Sequence, residues 1–371
     1  MYPTDGLLSN FWPLLLVLLF ALEKVVGSDG TFSTFATGLT GEKKYKHGVA
    51  VGTKIYAIPY HQNNIGVIDT ANNDTFTTIA TTGVTGYGKY GAGLAVGAKI
   101  YAIPYDQNSF GVVDTADNDA FTTIATGLTG GKKYIHGVVV GTKIYAIPRN
   151  ENSIGVIDTA NNDAFTTIAT GLTRMDKFIH GLAVGTKIYA VPFSGNNIGI
   201  IDTANNDAFT TVATGLTGEK KYRVGVAVGT KIYLIPYSQD SFGVIDTSNN
   251  DAFTTIATGL TGNEKFIYGL AVGAKIYAIP YDQNSIGVIN TANNDAFTTI
   301  PTGLSGIRKY VTGVVVGAKI YAMSFHQNNV GVIDTANNDA FTTIATTGVT
   351  RDGKFIHGVN TNGKIFMIPY M

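Results

Sequence analysis

The chain has 371 residues, with 26 basic and 26 acidic side chains and only 14% of its residues charged. Such a balanced, sparsely charged chain carries no broad positive field, which sets nucleic acid aside as a partner. There is no cysteine, so disulfides, thiolate catalysis and thiolate metal sites are excluded.

The first element along the chain is the apolar run Phe11–Leu22 (FWPLLLVLLFAL), followed by Val25-Val26-Gly27. It is short for a bilayer span and has the length of a signal-peptide core. Residues 1–27 are therefore assigned as a signal peptide and 28–371 as one domain, secreted or on the cell exterior. The residues before the run include Asp5 and no Lys or Arg, which keeps an uncleaved anchor or a buried N-terminal segment open. Beyond this segment no membrane contact is expected. Asn73-Asp74-Thr75 forms an N-glycosylation sequon.

From residue 31 onward the chain repeats. KIYAIP begins at Lys54, Lys99, Lys143 and Lys275, with variants at Lys187, Lys231, Lys319 and Lys364. Successive copies start 45, 44, 44, 44, 44, 44 and 45 residues apart. A period of that size marks an array of supersecondary units. The first unit reads as four strands, A to D: Gly48–Val51, Lys54–Pro59, Ile65–Asp69 and Thr75–Ala80. Two-residue links such as Gly52-Thr53, and Asn362-Gly363 in the last unit, suit tight A–B hairpins. The C–D link, Thr70–Asp74, has the short polar side chains that bond locally in Asx turns.

Strands B and C are apolar on both faces, whereas a sheet with one wet face should alternate. Stacking the units radially covers both faces. Small residues in strand A, such as Gly48 and Ala50, fit crowding near an axis. The expected fold is thus all-β, a closed β-propeller of four-stranded antiparallel blades. A stray strand-D copy at Thr31–Thr37 and a final A–B pair at Gly358–Pro369 are complementary parts of one blade. Residues 31–371 hold about 7.75 periods, which predicts eight blades, the last lacking strand C. Seven blades with spare strands is the alternative, and an open solenoid a third arrangement.

Tyr56–Thr70 (YAIPYHQNNIGVIDT), together with Gly48–Val51 (GVAV), resembles the YVTN-type β-propeller repeat. The resemblance covers essentially all of residues 31–371, with Ile-Pro where that family has Thr-Asn. It implies a surface, secreted or periplasmic propeller with a binding or scaffolding role, although some related propellers are enzymes. Fold-level likeness does not deliver a function.

Differences between units concentrate in the B–C and D–A links, which a meander places on one rim, the usual location of recognition on a rigid scaffold. Candidate ligand-binding residues in the B–C links are Tyr60, Tyr105 and Arg149. A Lys-aromatic pair closes every D–A link, as in Lys133-Tyr134. It reads either as a cation and aromatic face for a glycan or as an inter-blade aromatic with the lysine head in water. His47, His136, His180 and His357 share one position directly before strand A, where another unit has Tyr268. They are expected near the channel mouth, as polar lining or, alternatively, as metal or acid-base groups.

The Asp- and Asn-rich C–D links lack the glycine and distal glutamate of a calcium loop. Hydrolase-elbow, phosphate-loop and dinucleotide motifs are absent from the sequence. No metal site or cofactor is assigned. The sequence thus favours a monomeric, non-catalytic extracellular binding or scaffold propeller, its glycan or protein ligand on the B–C and D–A rim. The alternatives are a metal-assisted propeller lyase or hydrolase using the axial histidines, and a purely structural surface protein.

Overall fold

The computed structural model describes residues 21–24 and 30–370, and every regular element among them is a β-strand. Seven blades each use four consecutive antiparallel strands: residues 45–80, 90–125, 134–169, 178–213, 222–257, 266–301 and 310–345. One further four-stranded sheet is composite. Its order is Ser33–Ala36, Ala21–Lys24, Lys364–Pro369 and Phe355–Thr361. The expectation that this closing sheet would lack its third strand is corrected, because Ala21–Lys24 supplies it. That strand falls inside the segment read as a signal peptide, of which residues 1–20 and 25–27 lie outside the described residues. Removing residues 1–27 would leave Ser33–Ala36 without its neighbour.

Turn chemistry explains the meanders. Gly52 takes φ 58°, and in the last hairpin Asn362 and Gly363 take 52° and 75°, the paired positive values of a type I′ turn. Asn73 and Asp74 are likewise left-handed, a region that Asn and Asp tolerate better than other side chains.

The innermost strands run longer than expected, for example Tyr45–Val51, and a bulge falls between Tyr45 and His47. They neighbour one another in chain order, and Phe355–Thr361 lies against both Tyr310–Val316 and Tyr45–Val51, so the ring is closed. Apolar side chains fill each gap between sheets; in the closing gap Ile55, Ile68, Val359, Phe366 and Ile368 pack together. The glycine of strand A is set by the neighbouring blade rather than by the axis. A Cβ on Gly181 would lie 2.6 Å from Ile147 Cγ1 and 3.0 Å from Val138 Cγ2.

Polar latches join the blades farther out. Asp207, the last residue of one C–D turn, accepts from Lys143 Nζ at 2.7 Å and Tyr145 OH at 2.6 Å, both on the preceding blade. Asp119, Asp163, Asp251, Asp295 and Asp339 do the same. At the closing gap Lys364 reaches Asp74 at 3.5 Å, and Phe366 stands where other blades have the tyrosine. The local Asx role belongs to the first aspartate of the turn, whose Oδ1 accepts from a backbone N–H, as Asp69 does from Ala71 at 3.1 Å. Tyr145→Phe removes one charge-assisted hydrogen bond and preserves the ring. It is expected to cost about 1–3 kcal/mol, read as an earlier midpoint in urea; an unchanged midpoint would show that the latch contributes nothing.

A backbone circuit circles the axis. Lys133 N donates to Tyr105 O at 2.8 Å, Arg149 N to Lys133 O at 2.8 Å, and Lys177 N to Arg149 O at 2.9 Å. The same alternation continues through every blade until Lys44 N meets Tyr370 O at 2.9 Å. These lysines are buried, not water-facing. Lys133 Nζ donates to Asp106 O at 3.1 Å and to Gly130 O, stapling its own D–A loop to the B–C loop of the blade before.

Candidate functional site

The bulge at the start of each inner strand turns two successive side chains toward one end of the axis. There they line a cavity of about 140 Å³. One lining position carries Ile135, Ile179, Ile267, Ile356, Val311 and Gly91 in six units, and Lys46 and Arg223 in the other two. Going round the ring, Lys46 and Arg223 are four inner strands apart in either direction, so they face each other across the axis. The next position carries the histidines.

These imidazoles form two pairs. His47 and His357 lie 4.0 Å apart between ring centroids, and His136 and His180 lie 4.2 Å apart, with Ala92 separating the pairs around the ring. His357 Nδ1 accepts weakly from Gly48 N at 3.4 Å, while the buried Nδ1 atoms of His47, His136 and His180 meet no partner. Burial pushes His136 and His357 down to about 4, and holds His47 and His180 well below the ordinary imidazole range. All four are neutral at pH 7. Among the described residues no three His, Cys, Asp or Glu side chains are grouped to hold a metal ion.

Around this mouth the first residue after each strand B builds an aromatic annulus. Tyr60 lies 5.9 Å from Tyr105 and 6.5 Å from Tyr370, and the chain of rings continues through Phe325, Tyr281, Tyr237 and Phe193 at 6.1–6.2 Å. Arg149 replaces the eighth ring, with its guanidinium 5.7 Å from Tyr105 and 6.0 Å from Phe193. Lys46 Nζ sits 5.3 Å from the Tyr60 ring and 5.5 Å from that of Tyr370, while Arg223 lies over Phe193 and Tyr237. Such cation–π contacts hold charge over aromatic faces at modest gain. Arg149 is also ion-paired with Asp176.

No family model and no curated protein matches this chain. Solved structures do. The computationally designed Ika8 protein superposes with a TM-score of 0.63 at 6% identity, covering 89% of this chain and 97% of that one. AztD from Citrobacter koseri gives 0.59 at 13% identity, covering 88% and 95%. Virginiamycin B lyase from Staphylococcus aureus, solved with quinupristin, gives 0.58 at 14% identity, covering 77% and 94%. These likenesses show a propeller fold and nothing finer.

Of the residues singled out from the sequence, the propeller gathers His47, His180, His357 and Tyr268 at the axial cavity, with the His136 ring tilted against His180 beside them. Tyr60, Tyr105 and Arg149 stand in the surrounding annulus. Lys133 and Tyr134 are 0% exposed, and Tyr134 packs against Gly155. They hold loops and blades together. Sequence reasoning missed Lys46, Arg223 and the continuity of the annulus. The available signal was an aromatic at one fixed place after nearly every KIYAIP word.

Proposed function

We propose that the protein is a non-catalytic extracellular binding propeller that engages a glycan or protein partner through its B–C and D–A loops. The observation that carries this reading is the placement of exposed apolar side chains. Tyr87, Met175 and Ile307 are 77%, 68% and 60% exposed, and each stands two residues before the buried lysine of its D–A loop. Other units carry Glu42, Gly131, Glu219, Asn263 or Asp352 at that place. At a position free to be polar, three large apolar groups spread along one rim support a contact surface there. Secretion and the kinship with YVTN-type repeats belong to the same proposal, supported by Phe11–Leu22 and by the repeat words.

The test is a glycan array combined with affinity capture of defined candidate proteins, run with the full chain. Tyr87→Asn, Met175→Asn and Ile307→Asn together, taking the residue present at Asn263, are expected to lower the affinity at least tenfold. Undiminished binding by that triple variant, or no binding at all, would count against the proposal.

A second reading, a metal-assisted lyase or hydrolase, rests on the axial histidines and on the fold shared with virginiamycin B lyase. The donor set argues against it: two separated imidazole pairs, with no carboxylate lining the cavity, do not converge on one ion. Stoichiometric metal in the purified protein, lost in a His136→Ala, His180→Val variant, would revive it.

A further inference from the structure

We infer that the axial cavity is a binding site for a small oxyanion, a carboxylate, phosphate or sulfate group, held between Lys46 and Arg223. This inference is independent of any partner on the loops, because a small anion can occupy the axis whether or not a macromolecule covers the rim.

Packing does not explain the two cations. Isoleucine fills their position in four units and valine or glycine in two, so the ring closes equally well around an aliphatic side chain. Neither cation is neutralised. Lysines of strand B are matched to aspartates at the inter-blade latches, and Arg149 has Asp176. Lys46 and Arg223 have only aromatic faces, and no described carboxylate pairs with either. Glu264, an acid whose charge reaches Arg223, is engaged by Lys220 at 3.1 Å.

Two facing cations in a partly desolvated pocket repel each other, and burial is costly without a counter-charge. Both effects act on Lys46. Burial, then the charges of Arg223 and Arg149, draw its ammonium down to about 7. An anion on the axis offsets both effects. The buried, unpartnered Nδ1 atoms of His47 and His180, both on the cavity wall, are a second sign of an incomplete polar lining.

Size and the placement of charge agree. A cavity of about 140 Å³ has room for one small oxyanion. At the opposite end of the same strands the exposed residues are Ala50, Ala95, Ala183, Ala227, Ala271 and Asn360, none of them charged.

Calorimetric titration of the full chain at pH 6.5 tests the assignment, with inorganic phosphate, sulfate, acetate and galacturonate as separate probes. Saturable binding of at least one is expected, weakened about tenfold by Lys46→Ile or Arg223→Ile and abolished by both. Lys46→Arg should retain it, and so should the rim control Lys132→Ala. Preference for phosphate or sulfate would identify a free inorganic anion, and preference for galacturonate an acidic sugar. Isoleucine is the resident side chain in other units, and an unchanged circular dichroism spectrum verifies that the variants fold. Absence of saturable binding in the parent, or equal binding by the double variant, overturns the inference.

Discussion

Lys133→Ala is expected to destabilise the protein by about 3 kcal/mol, counting stranded carbonyls together with lost packing. Lys133 is 0% exposed, and its ammonium donates to Asp106 O and Gly130 O, carbonyls of two different loops. Alanine leaves both acceptors without that donor and opens a channel where the aliphatic stem ran. Lys133→Met keeps the stem and removes only the charged head, so its loss should be smaller and isolate the polar part. Urea midpoints of the three proteins measure this. A loss below about 1 kcal/mol for alanine would mean that desolvating the ammonium costs about as much as its hydrogen bonds return.

Acidification should produce the second large effect. His136 and His357 have folded values near 4 against an ordinary 6.5, with burial as the main cause. The unfolded chain therefore takes up protons first as pH falls, and stability drops through the window from about 6.5 down to about 4. The loss is on the order of 3 kcal/mol for each of the two. His47 and His180 shift in the same direction and add to it. His136→Ala with His180→Val installs the residues found at Ala92 and Val224, and should remove about half of the pH dependence. Denaturation at pH 7, 5.5 and 4 would reveal it; parallel losses in parent and variant would clear the imidazoles of responsibility.

Much of the architecture was legible because it is periodic. A repeat of 44 residues with two-faced apolar strands admits few solutions, and the hairpin glycines fixed the meander. The histidines, too, were placed near the channel mouth from one shared position. What escaped is long-range. Asp207 is written inside a turn motif and bonds its own loop in any local reading, but its partners Lys143 and Tyr145 lie on another blade, 64 and 62 residues away. The lysines looked solvent-facing since nothing nearby in sequence reports the carbonyls that two loops bring together overhead. Lys46 and Arg223 escaped for a different reason: a bulge, invisible in the residue pattern, aims them down the axis.

The composite sheet has a consequence for how the ring is assembled. Seven units are sewn from neighbouring sequence, whereas the eighth is a clasp, bringing Glu23 opposite Met367 and Gly48 onto His357, 309 residues away. Fastening a loop of that length rather than one repeat costs only about 2 kcal/mol more in chain entropy. It must nevertheless come after synthesis of the last strand. Until then the greasy flank of the first unit stays bare, which makes the unfastened necklace the species most exposed to self-association during folding.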